Sequence, residues 1–175
     1  LLEHLPKTLP QYKNKNLSPY INHVDKMKDD DLTRAYYFAP ELIQLIKNHS
    51  QHEIATHTFS HYYCLEPGQQ ATDFFYDLEA ALKLASEYQV NITSIVFPRN
   101  QYNKTYLKLC EELGIQCYRG NPKHWIYQAD INKTFLWIKK GIRLLDHYIN
   151  ITGHRCYERI WSKHDSIKNI QASRF

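Results

Sequence analysis

From Pro40 onward the chain switches repeatedly between two spacings of its hydrophobic positions. Pro40 stands where a first helical turn begins, and Leu42, Ile43, Leu45 and Ile46 form an apolar face up to about Asn48. HEIATHT, residues 52–58, alternates polar and apolar positions, which predicts a short strand ending near Thr58. After the Pro67-Gly68 turn, Phe74, Phe75, Leu78, Ala81, Leu82 and Ala85 recur at helical spacing. They predict a helix over 72–89, with Thr72 as its cap and Asp73 in its first turn. TSIVF, residues 93–97, is a compact apolar strand stopped by Pro98. A further helix runs from about Lys104 to Leu113, ends at Gly114 and leads into a strand over 115–118. IRLLDHY, residues 142–148, reads as a later strand.

The resulting order, βαβαβ, predicts parallel strands covered by helices, and in such a sheet ligands bind at the carboxyl ends of the strands. The first end carries His57 and His61, the second Pro98, Arg99 and Asn100, the third Arg119 and Gly120, and the later one Asp146 and His147. Residues 1–34 are polar, with prolines near the start and the run Asp29-Asp30-Asp31, and read as a loop or an incomplete element.

A chain of 175 residues with 43% hydrophobic and 23% charged positions can bury a full core, which predicts one globular domain over 1–175. No apolar run approaches the roughly 20 residues that span a bilayer, so no membrane insertion is expected. The net charge of +4 is dispersed, with Lys139-Lys140 the only adjacent basic pair, which argues against a nucleic-acid partner. The four cysteines have no zinc-finger spacing and are expected to be reduced thiols. Asn-x-Ser/Thr sequences at Asn16, Asn48, Asn91, Asn103, Asn132 and Asn150 leave the compartment open.

The densest chemistry is HEIATHTFSH, residues 52–61, with His52, His57 and His61. An H-x-x-x-H pair at a strand end has two readings: solvated imidazoles bonded to loop carbonyls, or two ligands converging on one ion. Thr58 and Ser60 lie between the histidines, where hydroxyls can hold loop backbone and orient imidazoles.

HEIATHTFSH resembles the second motif of the polysaccharide deacetylase (NodB-homology) family, in which a strand ending in His-Glu-Ile runs into His-Ser/Thr-x-x-His. FPRNQYN, residues 97–103, stands where the family's third motif follows the next strand, and GIQCYRG, residues 114–120, continues the likeness. The resemblance covers roughly residues 38–120. It implies an α/β fold of the irregular (β/α) barrel type, incomplete in this chain. It also implies a divalent metal, usually zinc, held by an Asp and by two histidines, here His57 and His61. The implied reaction removes N- or O-linked acetyl groups from an acetylated polysaccharide or glycan. Arg99 would orient the base and His147 would act as general acid, with His52 outside the ligand set.

Three features depart from the family pattern. Pro98-Arg99 replaces the usual Arg-x-Pro, LLDHY matches the closing motif only loosely, and no apolar strand ending in Asp-Asp precedes the histidines. Asp29-Asp30-Asp31 has the letters of that first motif without the strand. The expectation is that the strand carrying base and third ligand lies upstream of Leu1, that the chain is cut in mid-domain at IQASRF, and that alone it is a weak or inactive deacetylase.

The chemistry itself fits. A metal with open positions lowers the pKa of a water and polarises the acetyl carbonyl, a carboxylate takes the proton and a His protonates the leaving group. Tyr62, Tyr63, Tyr102, Trp125 and Trp137 are candidates to stack on sugars. Two other readings stand beside this one: a non-catalytic carbohydrate-binding domain of the same fold, and a different metal hydrolase using His57, His61 and a downstream acid such as Asp146.

Overall fold

Two prolines open the first two helices of the computed structural model, which describes residues 2–22, 39–121, 124–127, 135–153 and 166–171. Pro19 begins the single turn α1 (Pro19–Asn22) and Pro40 begins α2 (Pro40–Lys47), each where a missing N–H leaves no helical bond unmade. α3 (Ala71–Glu87) starts one residue before the expected position. Its cap comes from Asp73, whose Oδ2 accepts the Gln70 N–H at 3.1 Å, and not from Thr72. α4 (Lys104–Glu112) is capped by Asn103, which accepts from the N–H groups of Thr105 and Tyr106, and it closes at Gly114 with φ +85°.

The strands β1 (Ser94–Val96), β2 (Cys117–Arg119) and β3 (Lys168–Asn169) form a parallel sheet in the order β1-β2-β3. The expected parallel arrangement holds, with α4 crossing between β1 and β2. The strand expected over 52–58 contracts to one parallel bridge, Thr56 with Ile95. Beyond it, the Glu53 carboxylate accepts from the hydroxyls of Ser94 (2.6 Å) and Thr93 (3.3 Å), so side-chain bonds stand where a ladder would continue. The strand expected over 115–118 begins two residues later, because the Ile115 N–H still closes α4 on the Cys110 carbonyl at 2.9 Å.

IRLLDHY is not a strand. Residues 142–148 lie inside α5 (Leu136–Ile149), and the reason is visible in its polar positions. Lys139, Arg143 and Asp146 are spaced for one helical face, and all three meet the turn at Trp125–Tyr127. Lys139 Nζ lies 5.7 Å from the Trp125 ring, Arg143 Nε donates to the Ile126 carbonyl at 2.5 Å, and the Tyr127 hydroxyl donates to Asp146 at 2.5 Å.

The core lies between the sheet and helices α3 and α4. Phe74 is fully buried, with Tyr62, Phe97 and Tyr106 around its ring at 5.5, 6.0 and 5.1 Å. Ile95, Leu78, Cys110, Ile115 and Tyr118 complete it. The first residues are packed and not merely a polar loop. Tyr12 is 5% exposed, its hydroxyl accepts the Tyr63 N–H at 2.8 Å, and the Lys13 N–H donates to the Pro67 carbonyl at 2.8 Å. Gly68, with φ +93°, permits this approach: a Cβ there would lie 2.1 Å from the Gln11 carbonyl oxygen. Asp29, Asp30 and Asp31 lie outside the described residues.

Candidate active site

The chain leaves its bridge to β1 at Thr56 and enters a tight turn that carries both histidines. The Nδ1 of His57 lies 2.6 Å from the Val96 carbonyl oxygen, a contact that only a protonated Nδ1 can make favourably. Nε2 is then the nitrogen with a free lone pair, the tautomer a metal-binding imidazole needs. Thr58 and His61 both adopt left-handed backbone, with φ 66° and 57°. For residues carrying a Cβ, and above all a β-branched one, each such position costs about 1–2 kcal/mol. The turn offsets this with bonds: the Thr58 N–H donates to Thr56 Oγ1 (3.0 Å), and the Tyr62 N–H donates to Thr58 Oγ1 (2.7 Å). The His57 and His61 rings end 4.7 Å apart at 64°.

Beneath the turn, Asp77 of α3 is fully buried. It accepts the N–H of Phe59 at 2.8 Å, the N–H of Ser60 at 3.4 Å, and the hydroxyl of Ser60. Burial pushes its carboxyl up to about 6, against the opposing pull of these Ser60 and Phe59 donors. Burial also lowers the His61 imidazole below its usual value, with the neighbouring His57 and the Arg99 charge adding to the shift. A depressed His61 is neutral at pH 7, as a ligand must be.

Arg99 and Asn100, at the end of β1, are likewise left-handed, both at φ 52°. The Arg99 guanidinium lies 4.3 Å from the Tyr63 ring centre and donates to Glu66 Oε1 at 3.2 Å. Gln101 Nε2 donates to the same oxygen at 3.1 Å. Tyr63 in turn sets its ring edge against His61 at 5.1 Å, so one aromatic ring joins the arginine loop to the histidine turn. From β2, Asn121 reaches back to the Asn100 carbonyl at 3.2 Å, and its N–H donates to the Tyr102 hydroxyl at 3.1 Å.

His57, His61 and Arg99 are thus brought together, whereas His147 is not. It is exposed on the last turn of α5, its ring against Tyr148 at 6.2 Å, and the strand end expected for it does not exist. Asp146 is held by the Tyr127 hydroxyl and by the N–H and hydroxyl of Thr152 at 2.5, 2.7 and 2.9 Å, so both oxygens of the acid named in the alternative hydrolase reading are engaged within α5 and its flanking turns. Arg119 is exposed at the end of β2.

Two imidazoles sharing one zinc place their ligating nitrogens about 3.3 Å apart at tetrahedral geometry. The freed Nε2 of His57 and the close rings fit such a pair. Among the described residues, no group of three His, Cys, Asp or Glu side chains converges as a complete ligand set. The described residues thus bring two imidazoles together without a complete donor set.

Neither Asp77 nor Glu66 is among the residues expected from the sequence. Asp77 had a signal: it falls on the apolar stripe of α3, between Phe74 and Leu78, where an unpaired acid does not belong. Glu66 had none, since its role depends on a loop-to-loop approach across Tyr63.

No curated protein and no solved structure matches the chain. The family model described as polysaccharide deacetylase matches residues 7–118. That stretch contains the histidine turn, the arginine loop, Asp77, β1 and the start of β2, and in it the chain belongs to the polysaccharide deacetylase family of carbohydrate hydrolases.

Proposed function

We propose that the chain removes acetyl groups, N- or O-linked, from a polysaccharide or glycan, using a divalent metal, zinc first, held by Nε2 of His57 and by His61. The observation that supports this most is the bond from His57 Nδ1 to the Val96 carbonyl, which fixes the ring and leaves its other nitrogen free. The bound ion would supply polarisation of the acetyl carbonyl and a water of lowered pKa. His61, whose imidazole is lowered by burial with His57 and Arg99 adding to the shift, gives the second imidazole. Arg99 supplies fixed positive charge next to the reacting group, its guanidinium held flat by Tyr63 and Glu66. Tyr63 offers a ring on which a sugar can stack. The parallel sheet and the Thr56 bridge are read as part of an irregular (β/α) barrel. We assign His147 no role.

Acetate release from acetylated chito-oligosaccharides and acetylated xylan, with zinc or cobalt added, tests the reading on this chain and on one extended at both ends. Turnover that His61→Ala abolishes is the expected result. Bound metal without turnover by the extended chain on any acylated sugar would favour the carbohydrate-binding reading instead.

A further inference from the structure

The histidine turn holds an unfavourable conformation, and the Asp77 carboxylate bonds its middle from outside. Between left-handed Thr58 and left-handed His61 lie Phe59 and Ser60, and both of their N–H groups, with the Ser60 hydroxyl, point at Asp77. Asp77 is anchored on α3, whose neighbouring residues Phe74 and Leu78 are buried in the core. Around it, the hydroxyls of Tyr12 and Tyr20 and the thiol of Cys64 are kept protonated by burial, and among the described residues no Lys, Arg or His pairs with it. A buried acid without a cation is expensive, and three of its donors come from one turn.

We propose that Asp77 is the positioning residue of the histidine turn: its carboxylate fixes Phe59 and Ser60 so that His61 is presented to His57 as a ligand pair. This rests on the metal reading above. It concerns a residue that touches neither ligand ring, and it acts through the backbone of the turn.

The experiment measures zinc and cobalt affinity of the chain by calorimetry, the absorption spectrum of bound cobalt, and the melting temperature, for wild type, Asp77→Leu, Asp77→Asn and His61→Ala. Asp77→Leu removes the acceptor contacts to Phe59 and Ser60 while suiting the apolar stripe. It is expected to stay folded and to lose metal affinity by about 10- to 100-fold, the usual effect of removing a group that orients a ligand. Its cobalt spectrum should shift toward that of His61→Ala. Asp77→Asn keeps an oxygen for the two N–H groups and an amide that can donate to Ser60 Oγ, so it should bind within a few-fold of wild type. Should Asp77→Leu fail to fold, Ser60→Ala removes one of the three links and should weaken binding about 3- to 10-fold. Wild-type affinity and spectrum in folded Asp77→Leu, or in Ser60→Ala, would overturn the proposal while leaving the metal reading intact. Absence of metal binding by wild type would overturn both.

Discussion

Replacing Asp77 with asparagine removes a carboxyl group that the fold buries completely, and the consequence for stability can be worked out. Burial raises this group from 3.8 to about 6. Between those values the folded chain keeps a proton that the unfolded chain has released. The folded state therefore binds more protons, and the contribution of Asp77 to stability falls as pH rises through that window. At about 1.36 kcal/mol for each tenfold change in proton affinity, the fall is roughly 3 kcal/mol and is complete near pH 7. An asparagine in its place does not titrate. Urea unfolding of both proteins across pH 3.5 to 7.5, approximate limits that bracket the shift, gives the difference directly, since all other carboxyl groups are common to the two. The wild-type stability minus that of Asp77→Asn should decline by roughly 3 kcal/mol as pH rises, most steeply between about 4 and 6. A difference independent of pH would show that the Phe59 and Ser60 donors fully compensate the burial, and the account of this carboxylate would fail.

Arg99→Gln removes a positive charge that helps to lower His61, so the His61 titration midpoint, followed by NMR of its ring protons, should move up; an unmoved midpoint would separate the arginine loop from the histidine turn. Gly68→Ala adds a Cβ that would meet the Gln11 carbonyl oxygen at 2.1 Å in a left-handed position. It should destabilise the chain by more than about 1 kcal/mol in urea melts and expose residues 11–13 to proteolysis.

The elements that were legible in the sequence have local causes. Pro40 and the apolar face behind it, the period of Phe74, Leu78 and Leu82, and Gly114 after α4 are signals within one turn of the residues they govern. The failures have non-local causes. IRLLDHY carries apolar residues that suit either period, and the decision belongs to Lys139, Arg143 and Asp146, which need the turn at Trp125–Tyr127 as a partner. HEIATHT alternates as a strand should, yet β1 is three residues long and Glu53 bonds its hydroxyls, so one bridge is all that forms. In the site, residue type and spacing pointed to His57 and His61. Their support by Val96 and Asp77 depends on the approach of segments 39 and 18 residues away along the chain, and no spacing rule encodes it.

The central claim is that His57 and His61 together hold one divalent ion at the site of deacetylation. Metal content per chain, determined by mass spectrometry after zinc loading and extensive dialysis, addresses it most directly. The account predicts one zinc per wild-type chain, loss in both His57→Ala and His61→Ala, and retention in His52→Ala, whose ring faces His49 at 5.7 Å and not the turn. Unchanged stoichiometry in both single variants would contradict it.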